Sequence, residues 1–306
     1  MPYIIKAGGQ GKIHAAIVGG SRDGKTSLVG SAMAFEEFRP MAYIASDPNS
    51  QFLSSIKAEY RPFISVILPG FRAATPEEVT RGETLTKAGK PSNILAGVEG
   101  GPPMVKLPLK DSLQDFCTFD YAKAGFRTVV WDTVSEFAQD LLNEVGASGG
   151  GVEFGPKRHP TAATNFGDAN MPDYRVTQGL IRQGIKWLSA QNVHKFMCFH
   201  LDTSDKTRQI GPATIGQADI HKIPGLFDLV LCPQVEGEGT DTAKYIVRVK
   251  TFSPMPGYKT VAGAKFNLAS QVLKEDKYVV GTKENSDLAK VNLWPRVLQL
   301  IADNTK

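Results

Sequence analysis

The stretch "IVGGSRDGKTSLVG" at residues 17–30 constrains the fold of this chain more than any other. Apolar residues run into Gly19, four residues intervene, and Gly24, Lys25 and Thr26 follow. Residues 13–18 (IHAAIV) have the continuous apolar character of a buried strand. From Lys25 to about Phe38 the spacing is helical, and Pro40 ends it. A second apolar run, "MAYIAS" at 41–46, closes at Asp47-Pro48. Strand, helix and strand in such close succession form a βαβ unit, which commits the chain to a parallel sheet.

The residues from Gly19 to Thr26 match the phosphate-loop pattern G-x-x-x-x-G-K-[ST], and each position has a chemical reason. Glycines at 19, 20 and 24, with Ser21, Arg22 and Asp23 between them, let the backbone turn its N–H groups toward phosphate oxygens. Lys25 sets a cation against the β and γ phosphates, and Thr26 offers a hydroxyl to Mg²⁺. Ser27 follows in the first helical turn, where the positive end of the helix dipole faces the same anion. Gly19 through Ser27 are therefore the expected nucleotide-binding residues.

Such a site needs an acid near Thr26 to help hold the metal. "TVVWD" at 128–132 supplies Asp132 at a strand tip. The surroundings exclude two branches of nucleotide-binding protein. No N/T-K-x-D segment occurs and "DTVS" lacks the glycine of a D-x-x-G switch, against a GTPase. Asp132 is followed by Thr133, not by the Glu usual in AAA+ proteins and terminases.

Taken in this order, GGSRDGKT, IASD, VVWDT, the strand tip "CFH" and the segment GPATIGQADIHKIPGLFDLVL resemble the RecA-like ATPases. Within them the likeness is to small phage-encoded members linked to single-strand annealing and recombination, over roughly residues 13–252. The resemblance implies ATP and Mg²⁺ as cofactors, Asp47 as the carboxylate that activates water, and His200 as a sensor of the γ-phosphate. It also implies a homo-oligomer in which Arg248 or Lys250, two apart in "YIVRVKTF", reaches a neighbour's nucleotide. Asp47 is one methylene shorter than the family's usual Glu. Each of these residues also has a plainer reading. Asp47 caps a turn, His200 is a hydrogen-bonded strand end, and Arg248 and Lys250 lie on a solvated strand face. Glu136, four residues past Asp132, reads as an exposed helix residue.

Nucleic-acid binding rests on two long polar segments. Residues 146–172 carry Phe154, Lys157, Arg158, His159 and Phe166, and residues 201–225 carry Lys206, Arg208, His221 and Lys222. Cations neutralise phosphates and aromatic rings stack on bases, which suits single-stranded DNA. Glu153, Asp168, Asp202, Asp205 and Asp219 dilute that charge. The formal net charge of +4 neither demands nor excludes such a partner.

The chain has 306 residues, 42% of them hydrophobic, enough for a sizeable core. The expected class is α/β, a mostly parallel RecA-like sheet flanked by helices. The expected division is an ATPase domain at 1–270 with an irregular insertion near 70–110, and a C-terminal extension at 271–306. In that extension Leu293, Trp294, Val297, Leu298 and Ile301 form an apolar stripe that docks on the core or on a neighbouring subunit. Three dispersed cysteines, no signal-like start and no membrane-length apolar run give the expectation of a soluble cytoplasmic protein. Three functions fit: an ATPase acting on single-stranded DNA, a nucleotide-gated scaffold with negligible turnover, and a small-molecule phosphotransferase.

Overall fold

The computed structural model describes residues 11–46, 54–87, 94–95, 102–148, 171–215, 220, 222–251, 253, 259–260, 263–264, 272–282, 285 and 288–303. Among these residues, eight strands run through the main sheet: β1 (His14–Val18), β2 (Met41–Ala45), β3 (Ile64–Ile67), β4 (Thr128–Asp132), β5 (His194–Phe199), β6 (Leu229–Glu236), β7 (Lys244–Arg248) and β8 (Lys277–Thr282). Their order is β8-β7-β6-β1-β5-β4-β2-β3, and a ninth short strand, Gly263–Ala264, pairs with β6. From β6 to β3 every neighbour is parallel, whereas β7 and β8 are antiparallel. This is the mostly parallel α/β sheet expected from the sequence.

Both faces of the sheet are covered, which is why β1, β2, β4 and β5 read as unbroken apolar runs and are buried throughout. Side chains alternate between two cores. Ile17, Tyr43, Val130 and Phe196 face α1 (Lys25–Ser31) and the C-terminal helices α6 (Ala289–Asn292) and α7 (Trp294–Asp303). Val18, Ile44, Trp131 and Phe199 face the opposite layer, α3 (Leu109–Thr118), α4 (Val134–Ser148) and α5 (Met171–Ser189).

Three segments differ in detail from the sequence expectation. The helix after the glycine loop is regular only to Ser31 and continues as two 3₁₀ turns, Ala32–Ala34 and Glu36–Phe38. The described part of the 70–110 insertion holds a helix, α2 (Pro76–Lys87), and a small antiparallel sheet of Phe71–Ala73, Met104–Lys106 and Ile94–Leu95. Within the polar segment 201–225, Leu201–Ser204 and Gln209–Pro212 pair as a hairpin. Its turn includes Arg208 at φ 51, a left-handed position that a hydrophobic-period reading does not detect.

The C-terminal residues are built into the main body. β8 extends the sheet, and Leu293, Trp294 and Val297 are fully buried in the α1-side core. The Trp294 ring meets Phe38 and Phe196 edge-on at 5.6 and 5.5 Å, and its Nε1–H donates to Ser31 Oγ at 2.7 Å. One side chain therefore joins the last helix to the end of α1. Trp294→Ala is expected to cost about 3–5 kcal/mol of folding stability, measured by urea unfolding.

Candidate functional site

Parallel strands bring their C-terminal ends to one edge of a sheet, where the loops that follow converge. Here the Gly19 loop leaves β1, Ser46 follows β2, Asp132 ends β4 and His200 follows β5. Register fixes the neighbours: Val18 stands opposite Phe199, and Ala45 opposite Asp132. Gly19 N–H donates to Phe199 O at 3.1 Å, and Ser46 N–H to Asp132 O at 2.9 Å.

The loop itself is turned by left-handed residues. Gly24 has φ 80 at the start of α1, a conformation that suits glycine, and Arg22 has φ 70 at the cost of its Cβ. The Asp23 carboxylate accepts from Gly20 N–H at 2.5 Å. Lys25 is 7% exposed, folded back so that Nζ donates to Gly19 O at 3.0 Å and Gly20 O at 2.7 Å. An ammonium has three donors, so these two bonds leave capacity for an anion in the loop. The loop's own carbonyls draw this lysine inward.

Asp132 is held from two directions. Thr26 Oγ1 donates to its Oδ2 at 2.7 Å, and the Tyr43 hydroxyl donates to the same oxygen. Tyr43 is fully buried, and its pKa is raised well above the usual value, first by burial and then by the Asp132 charge. Cys198, on the same face of the sheet, has its thiol pushed up for the same two reasons. Three strands and α1 therefore meet at one carboxylate. Nothing in the sequence marks Tyr43, because a tyrosine in an apolar strand reads as core.

A cavity of about 540 Å³ opens at this edge, within the range of small-molecule sites. Its walls include the loop residues Ser21 to Ser27, then Asp132, Thr133, Glu136 and His200. His200 Nε2 lies 3.3 Å from Glu136 Oε1, and that contact, helped by the Lys25 charge, holds the Glu136 carboxyl below its usual pKa. The cavity continues along Leu28 and Ser31 of α1 to Tyr245, Val280 and Ala289.

The other sequence candidates have definite places. Asp47 lies outside the described residues, one position past Ser46. Arg248 donates to Gln234 Oε1 and Glu236 Oε1, both at 3.0 Å, and Lys250 pairs with Asp276 at 2.8 Å. Lys250 lies beyond the end of β7, and neither cation is among the residues lining the cavity. Each is held to a carboxylate of its own chain. Of the nucleic-acid candidates, Lys206, Arg208 and Lys222 are exposed. His221 and the aromatic and basic residues of 149–170 lie outside the described residues.

With this geometry established, known structures add little. The chain is similar to a prototypical ATPase from the type III secretion system of pathogenic bacteria, at 11% identity and TM-score 0.35. That match covers 72% of this chain and 50% of the ATPase, so the chain spans about half the length of that protein. It is also similar to the RadB recombinase, at 9% identity and TM-score 0.29, over 76% of this chain and 80% of that one. No protein-family model and no curated protein matches the sequence.

The Tyr43 contact yields a test. Tyr43→Phe removes one donor to a carboxylate and leaves the ring packing in place. Unfolding in urea is expected to show a loss of about 1.5–3 kcal/mol, the usual worth of a hydrogen bond to a charged group.

Proposed function

We propose that this chain is a Mg²⁺-dependent, RecA-like ATPase that acts on single-stranded DNA in recombination, annealing or replication. The observation that carries the nucleotide reading is the 2.7 Å contact between Thr26 and Asp132 at the mouth of a loop lined by Lys25. In the sequence these two residues are 106 positions apart.

The pair fits Mg²⁺. Both donors are hard oxygens, and adjacent ligands of an octahedron with bonds of about 2.1 Å lie about 3 Å apart. Thr26 and Asp132 would hold the ion, which supplies positive charge against the transferring phosphoryl group. Lys25 binds the same phosphates, and the loop amides orient them.

The lining of the cavity supports a reading for the nucleoside as well. Gly24, Ser27, Leu28 and Ser31 fall on one face of α1 by their spacing. The cavity follows that face to Tyr245, which is 42% exposed, and to Val280 and Ala289. A Cβ placed on Gly24 would stand 3.8 Å from Tyr245 Cδ1, so the ring sits beside the loop. We assign the base to this arm, against the Tyr245 ring. The single-stranded DNA reading is supported by Lys206 and Arg208, which are exposed in the turn of the 201–212 hairpin that follows β5.

Lys25→Ala is expected to lose ATP binding in a titration with a fluorescent ATP analogue, while the thermal melt shows a folded chain. Unchanged affinity would remove the basis of this reading. Turnover with and without single-stranded DNA separates the DNA-directed ATPase, which is stimulated, from a scaffold that binds without turnover.

Tyr245→Ala is expected to weaken ATP by roughly 10-fold, since stacking on an aromatic ring is worth about 1–3 kcal/mol per base. Tyr245→Phe should keep most of the affinity, and inorganic triphosphate should bind all three proteins alike. Equal losses for triphosphate and ATP would mean that Tyr245 supports the loop and not the base.

A further inference from the structure

Hydrolysis needs a group that orients water on the open side of the γ-phosphate, and the cavity wall holds a carboxylate with the means to do so. Glu136 lies in the first turn of α4, next to the tip of β4, and lines the same cavity as Lys25, Thr26 and Asp132. Its position is set at both ends. Its backbone N–H donates to Thr133 Oγ1 at 3.1 Å, and its carboxylate meets His200 Nε2 at 3.3 Å. His200 is itself anchored. Its N–H donates to Ser135 Oγ at 2.9 Å, and its carbonyl accepts from Ala213 N–H at 2.7 Å. The tips of β4 and β5 are thus fastened together by Ser135, with the Glu136–His200 pair above them.

The pair is open to solvent. The Glu136 side chain is 45% exposed and that of His200 32%. A carboxylate that only balanced a buried charge would have no need of such access, whereas one that holds a water must admit it. The His200 contact, helped by the Lys25 charge, holds this carboxyl below its usual pKa. That makes it a weak base but not a poor catalyst here. Phosphoryl transfer passes through a loose transition state, so placing the water matters more than removing its proton early.

We propose that Glu136, positioned by His200, is the carboxylate that orients the attacking water. The inference rests on the ATPase reading above and departs from the sequence assignment of that role to Asp47. In the step, the water oxygen forms a bond to the γ-phosphorus as the bond from that phosphorus to the β–γ bridging oxygen breaks. ADP leaves with the electron pair. The water's proton passes to Glu136 and then to phosphate or solvent.

The test measures MgATP affinity and steady-state turnover in parallel, with and without single-stranded DNA, for the wild-type chain, Glu136→Gln and Asp47→Asn. Glu136→Gln is expected to keep the wild-type melt and ATP affinity while kcat falls by about 10²-fold or more. Asp47→Asn should retain the greater share of turnover. His200→Asn should lower kcat less than Glu136→Gln does, and the double variant should fall no further than Glu136→Gln alone. Losses that multiply in the double variant would overturn the pairing. Wild-type turnover in Glu136→Gln, above all if Asp47→Asn is dead, would overturn the proposal while leaving the ATPase reading intact. Wild-type binding without any turnover overturns it as well and leaves nucleotide binding standing. A wild-type chain that binds no MgATP overturns both.

Discussion

The hydroxyl of Thr26 and the carboxylate of Asp132 meet at 2.7 Å, and the rest of the site is arranged around that contact. Thr26 belongs to the first turn of α1, and Asp132 to the end of a strand that is not adjacent to β1. β5 lies between β1 and β4, so the contact reaches across one strand. It can form because the strands are parallel and end together, which brings the glycine loop, Asp132 and His200 to one edge. Tyr43, from the next strand on the far side of β4, closes the arrangement from below. A shift of one residue in any of these registers would turn Tyr43 or Asp132 to the opposite core.

That dependence explains why the site is backed by so rigid a core. On the α1 side, Leu28 and Val29 are buried against Ile17 and Phe196, while Trp294 ties the end of α1 to the C-terminal helices. The loop above has little freedom of its own. Asp23 holds Gly20 N–H, and Lys25 is bonded to two carbonyls of the same loop. A loop already curved around its own lysine has little left to order, which is the general advantage of preorganisation.

Much of this was legible along the chain, for identifiable reasons. The spacing from Gly19 to Thr26 is local, and a glycine at 24 before a helix is the residue its left-handed φ favours. The apolar runs of β1, β2, β4 and β5 announce strands covered on both faces, and the helix between the first two requires a parallel sheet. Asp132 could be named because strand tips in such a sheet point at the loop. Glu136 was not legible in the same way. At four residues beyond Asp132 it has the spacing of any surface helix residue, and only its meeting with His200, 64 positions away, sets it apart. Arg248 and Lys250 show the converse. The strand pattern singled them out, but their carboxylate partners Glu236 and Asp276 come from neighbouring segments that the pattern does not place.

The sequence by itself determined the glycine loop before α1, the mostly parallel α/β class and the acid that faces the loop, because each follows from short-range spacing and from unbroken apolar runs with polar tips. Tertiary structure alone decided that Tyr43 holds Asp132, that Glu136 joins His200 and that Trp294 closes the core over α1. It also decided that Tyr245, Val280 and Ala289 form the far wall of the cavity. These are meetings between segments up to 263 residues apart, as for Trp294 and Ser31. Such meetings depend on strand order and register, and neither is written in the local pattern of any one segment.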